Sequence, residues 1–156
     1  MRLWRIEEVI APMSDTRMYR SQHAEIVKLV QGVQVFLAPG KLPGAAADVR
    51  LKLSELAAKT TLHLAMEDGS LYPRLMAHED PKVRDTASRF NNEMSAISAV
   101  FETYTAKWTE SAIREDSTGF IEETTKLFTA LANRIQRENT ELYPLLEQDA
   151  PAERSV

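Results

Sequence analysis

The 156-residue chain has no cysteine. That excludes disulfides, thiolate-bound zinc and thiol nucleophiles, and it suits a reducing compartment. Histidine is scarce as well, with three in the whole chain, so each one that falls on a buried face carries information. Glycine and proline number only five and seven and gather mostly in short clusters, which leaves long stretches free of breakers. No apolar run is long enough to span a bilayer. The opening MRLWRIEEVIAPM sets Arg on both sides of Leu3 and Trp4 and then two acids, unlike the unbroken apolar core of a leader peptide. The expectation is a cytoplasmic protein without membrane contact. A net charge of −4, with Lys and Arg scattered among the acids, offers no basic stripe to nucleic acid. Walker loops, dinucleotide fingerprints and a Ser-His-Asp frame are missing too, which removes the usual grounds for an enzymatic reading.

What is present forms helices. Between APGKLPG, HEDP and REDSTG lie four long segments rich in Ala, Leu, Glu, Lys and Met. Their apolar residues recur at alternating spacings of three and four. Val83, Ala87, Phe90, Met94, Ile97, Phe101, Tyr104 and Trp108 form one such seam. Val49, Leu53, Leu56, Thr60, His63 and Glu67 form a second, and Phe120, Thr124, Leu127, Leu131, Arg134 and Glu138 a third. Tyr19, His23, Ile26 or Val27, Val30 and Val33 or Gln34 form a fourth. No segment alternates with period two. The pattern predicts an all-α protein, an antiparallel up-down four-helix bundle. Its helices are expected at 14–37, 46–76, 81–111 and 117–148, inside a domain of residues 14–149 flanked by an arm (1–13) and a tail (150–156).

One frame is written twice. HLAMEDGSLYPRL and RIQRENTELYPLL share Glu-x-x-x-Leu-Tyr-Pro-x-Leu, and Glu67 and Glu138 are 71 residues apart. The same offset carries His23 onto Met94 and Tyr19 onto Phe90, so the chain reads as two hairpins built on one plan. Proline inside a helix costs about 3 kcal/mol, and its recurrence at Pro73 and Pro144 predicts a shared kink. The seams also carry ionisable residues: His23, His63, Glu67, Arg134 and Glu138. Buried charge is costly unless paired or metal-bound. His63 and Glu67 stand one helical turn apart, and imidazole nitrogen with carboxylate oxygen suits iron, manganese or zinc.

On these residues the chain resembles the hemerythrin-like family of HHE cation-binding domains, from about Tyr19 to Glu147. The resemblance implies a His in the first helix, His-x-x-x-Glu in the second, His in the third and His-x-x-x-Glu or Asp in the fourth, holding two bridged iron ions. It places His23, His63, Glu67 and Glu138 at ligand positions. Two positions depart from it. Met94 stands where the third-helix His belongs, and Arg134 replaces the His that precedes Glu138. The expectation is a degenerate site: one half kept, the other converted to a salt bridge in which Arg134 keeps both carboxylates ionised. The expected cofactor is then none, or a single divalent ion, iron by the resemblance. The losses speak against an intact di-iron pair. Three functions follow: a non-enzymatic binding or sensing protein, a metalloprotein that senses oxygen, nitric oxide or redox state or stores its ion, and a metal-free scaffold. Tyr72 and Tyr143 are read as packing on the prolines that follow them, with their hydroxyls reaching the site as the alternative. The apolar arm (Leu3, Trp4, Ile6, Val9 and Ile10) packs on its own bundle or contacts a second copy or a protein partner.

Overall fold

The computed structural model describes residues 16–38 and 40–148. The arm and the tail lie outside them. Among the described residues every regular element is helical. The first helix, α1, is Arg17–Gln34; α2 is Leu42–Met66; α3 is Tyr72–Met76; α4 is Pro81–Lys107; α5 is Glu110–Glu115; α6 is Ser117–Arg137; α7 is Tyr143–Glu147. No strand is present among these residues, and no helix is long and apolar enough to cross a membrane.

Caps set most boundaries. Asp80 accepts from the amide of Lys82 at 2.9 Å, and Pro81 follows at the first helical position. Asp116 does the same for α6, accepting from Gly119 at 2.9 Å. The first helix is shorter than expected, spanning Arg17–Gln34 instead of 14–37, and two other boundaries differ more. The second helix starts at Leu42 instead of residue 46, because Pro43 sits in the first turn, where a missing N–H costs nothing. The third run breaks at Trp108 instead of reaching Ser111. Thr109 turns extended and caps a separate short helix, accepting from Ala112 at 3.2 Å. Arg50 holds that break, donating to the carbonyls of Thr105 (2.9 Å) and Trp108 (3.0 Å).

The expected kinks are π turns. Glu67–Leu71 joins α2 to α3, and Glu138–Leu142 joins α6 to α7. In each, the tyrosine amide reaches back five residues, Tyr72 to Glu67 O and Tyr143 to Glu138 O. The inserted residue lets the chain meet a proline without stopping. It also changes what faces inward. Five-apart residues diverge on an α-helix, whereas an i→i+5 turn stacks them. Glu67 and Tyr72 are therefore buried together, as are Glu138 and Tyr143.

Two apolar clusters fill the interior. One contains Ile26, Val33, Leu53, Leu56, Phe101, Trp108, Phe120 and Leu131. The other contains Tyr19, Leu71, Tyr72, Leu75, Phe90, Leu142 and Tyr143. Along α1 the order is Tyr19, His23, Ile26; along α2 and its π turn it is Leu56, His63, Glu67, Leu71. Along α4 it is Phe90, Met94, Phe101, and along α6 it is Leu131, Arg134, Glu138, Leu142. Each run thus passes from one cluster to the other and carries its departure from apolar character, or Met94, at the crossing. Of the seam residues, Ile97 and Val30 are only half-buried.

Candidate metal centre

The crossing layer brings His23, His63, Glu67 and Glu138 together. One donor atom from each lies within 4.8 Å of all the others, and all four side chains are buried. His23 Nε2 and His63 Nε2 face each other at 3.0 Å. His63 Nε2 also abuts Glu67 Oε1, and Glu138 Oε2 stands 3.8 Å from His23 Nε2 and 4.0 Å from His63 Nε2.

The far side of each imidazole fixes its tautomer. His23 Nδ1 meets Asn139 Oδ1 at 2.8 Å, and His63 Nδ1 meets Gln22 Oε1 at 2.7 Å. An amide oxygen only accepts, so both Nδ1 atoms carry the proton. Burial is the largest influence on both rings and lowers their pKa, which disfavours the imidazolium form. Both Nε2 atoms therefore present bare lone pairs to one another and to the carboxylates.

The carboxyls are strained in the same sense. Burial pushes Glu67 up to about 7 and, with the charge of Glu67 beside it, Glu138 up to about 8. The charge of the Arg134 guanidinium pulls both down but does not outweigh burial. The expectation that Arg134 keeps both ionised is thus corrected: desolvation of two facing carboxyls outweighs one guanidinium that touches only one of them. Oε2 of Glu67 is buried, and among the described residues no N–H or hydroxyl donates to it. Bare nitrogens, crowded carboxyls and an orphaned oxygen make a donor set that fits a cation.

The other half of the layer is closed on itself. Arg134 Nε donates to Glu138 Oε1 at 3.1 Å, Nη1 to Glu93 Oε2 at 3.1 Å, and Nη2 to the Phe90 carbonyl at 2.7 Å and the Tyr72 hydroxyl at 2.8 Å. Its guanidinium lies over the Phe90 ring, 4.5 Å from the centroid. Arg137 shares Glu93 at 2.7 Å. The expected salt bridge from Arg134 to Glu138 is formed, and Met94 is buried on α4. Glu93, next to Met94, is an unexpected partner. His78 stays apart, accepting from the Asp80 amide at 3.0 Å.

Two participants were not assigned to the site from the sequence. Gln22 and Asn139 each sit one residue off a seam, beside a ligand position, where periodicity reads a flank. Tyr143 was placed there only as the alternative to packing on its proline. Its hydroxyl stands among the donors themselves, 3.0 Å from His23 Nε2 and 3.3 Å from both Glu67 Oε1 and Glu138 Oε2.

The helical fold and this buried His/Glu cluster define a cation-binding class of domain. The hemerythrin HHE cation-binding domain model matches residues 14–146, and the chain belongs to that family. No curated protein and no solved structure matches the chain.

Proposed function

We propose that this chain is a non-enzymatic cation-binding or sensing protein that holds one ion instead of two. Its ligands are His23, His63, Glu67 and Glu138. The second half-site is filled by Arg134 and Met94. The carrying observation is the pair of imidazole nitrogens facing each other at 3.0 Å with their protons committed elsewhere. Two lone pairs at that distance repel, and one cation between them removes the conflict. Bound there, an ion would supply positive charge that keeps both carboxylates ionised and gives the imidazoles a common acceptor. Gln22 and Asn139 orient the rings, and the two apolar clusters exclude water.

The architecture proposed with it is an antiparallel up-down bundle of two repeated hairpins. The alternating order in which the four runs traverse the two clusters supports this. So does the 71-residue offset between the π turns, Glu67–Leu71 and Glu138–Leu142.

Elemental analysis of purified protein, with calorimetric titration of the metal-free form, tests the reading. One ion per chain is expected, and two in a chain carrying Met94→His and Arg134→His. Two tightly bound ions in the parent, or none from iron, manganese and zinc alike, would reject it.

A further inference from the structure

We infer that the phenol oxygen of Tyr143 is a fifth ligand to the ion held by His23, His63, Glu67 and Glu138, bound as phenolate. The inference rests on the single-ion reading above.

The geometry is that of a donor, not of a neighbour. The hydroxyl oxygen lies 3.0 Å from His23 Nε2, 3.5 Å from His63 Nε2, and 3.3 Å from each of Glu67 Oε1 and Glu138 Oε2. A phenol has one proton to give. Both Nε2 atoms are acceptors, because the imidazole protons are committed to Asn139 and Gln22, and once an ion ionises the carboxyls all four neighbours are. One hydrogen bond cannot satisfy four acceptors, but a cation shared by all five atoms can. The ring is held for the purpose. It stacks on His23 with centroids 5.2 Å apart, lies 5.7 Å from the Tyr19 ring, and is covered by the Arg20 guanidinium at 5.4 Å. The π turn is what points it inward, by stacking residue 143 over residue 138.

The repeat supplies an internal comparison. Tyr72 is the same residue of the other π turn, and its oxygen accepts from Arg134 Nη2 at 2.8 Å. In that half the tyrosine oxygen already faces a fixed cation. In this half the corresponding oxygen faces the place where four other donors converge.

Binding breaks the phenol O–H bond and forms an oxygen–metal bond. The proton leaves to solvent, and no oxidation state changes. Two carboxylates and a phenolate supply three negative charges from hard oxygen donors, which selects a trivalent ion such as ferric iron over divalent ions.

The test is to load the full chain with ferric iron, measure iron by elemental analysis, and record visible absorption and resonance Raman spectra. A phenolate-to-iron charge-transfer band with enhanced tyrosine ring modes is expected. Tyr143→Phe should lose the band and bind iron at least about tenfold more weakly, while Tyr72→Phe keeps it. One iron per chain without the band in the parent would overturn the fifth ligand and leave the single-ion site standing. Failure of the parent to take up iron, manganese or zinc would overturn both.

Discussion

The two π turns of this protein are alike in backbone and opposite in chemistry. Each begins at a buried glutamate, is followed by a tyrosine and absorbs a proline. Around Tyr72 the layer is neutralised from within: Arg134 serves Glu138, Glu93, a carbonyl and the hydroxyl at once. Around Tyr143, among the described residues, Arg134 reaches only the outer oxygen of Glu138, and no guanidinium or ammonium contacts the two imidazole nitrogens, Glu67 or the phenol oxygen. With the proposed ion in the open half, the comparison would show how a repeated scaffold can lose one metal position and keep the other. A single guanidinium replaces an ion only where the acceptors are arranged as a fork and a carbonyl. It does not reach the cluster of imidazole nitrogens across the layer.

The largest effect expected from disturbing this asymmetry is on the closed half. Arg134→Ala leaves Glu138, the Phe90 carbonyl and the Tyr72 hydroxyl without their donor. It should destabilise the fold by about 3–5 kcal/mol in denaturant melts. A loss under about 1 kcal/mol would mean that the half is not held by its ion pair.

A smaller effect is expected from pH on the metal-free open half. Unfolded, its carboxyls titrate near 4.5 and its imidazoles near 6.5; folded, the carboxyls rise to about 7 and 8, and the imidazoles fall. Between pH 4.5 and 6.5 the folded chain keeps carboxyl protons that the unfolded chain has lost, and the unfolded chain binds its imidazole protons more tightly than the folded chain does, so the two pairs of groups oppose each other. Above that window the unfolded chain has released its protons and the folded chain has not. Stability should therefore fall by about 2–3 kcal/mol by pH 8. Below the window the unfolded chain binds more protons, and stability falls again. Thermal melts of the chelator-treated protein should show the alkaline decline, and a bound ion should abolish it. A metal-free protein that grows steadily more stable up to pH 8 would show that the carboxyls are already ionised.

The smallest effect concerns orientation. Gln22→Ala frees the His63 ring to adopt the wrong tautomer while leaving every ligand in place. Metal affinity should drop about 10–100-fold in competition titrations, with little change in the metal-free melting temperature. An unchanged affinity would assign Gln22 a packing role alone.

Much of this was legible in the sequence because the seams are strict. Every ionisable residue placed on a seam is buried, and the 71-residue offset recurs in the boundaries of α2 and α6, which end at Met66 and Arg137. The Arg134–Glu138 pair was expected from the seam positions together with the resemblance, in which Arg134 stands where a ligand His belongs. What could not be read was the consequence of proline at Pro73 and Pro144. A missing donor is visible in the sequence, but how the ladder resumes is not. An α-helical extrapolation turns Tyr143 away from Glu138, and only the i→i+5 turn brings them together. The protonation of the carboxyls was misjudged for a related reason. Counting one cation against two acids ignores that the guanidinium touches one carboxyl directly, while burial acts on both.

The donors of the open half have almost no exposed surface: His23 2%, His63 3%, Glu67 0%, Glu138 1% and Tyr143 0%. Arg20 closes the end of the layer, reaching from α1 to Glu147 at 2.8 Å and to the Asn139 carbonyl at 3.1 Å. An occupant of such a chamber neither enters nor leaves by diffusion alone. Passage waits for a local opening of the helix ends. Occupancy by the proposed ion would then follow a slow clock set by the protein's own breathing, with brief fluctuations in the surrounding supply averaged out.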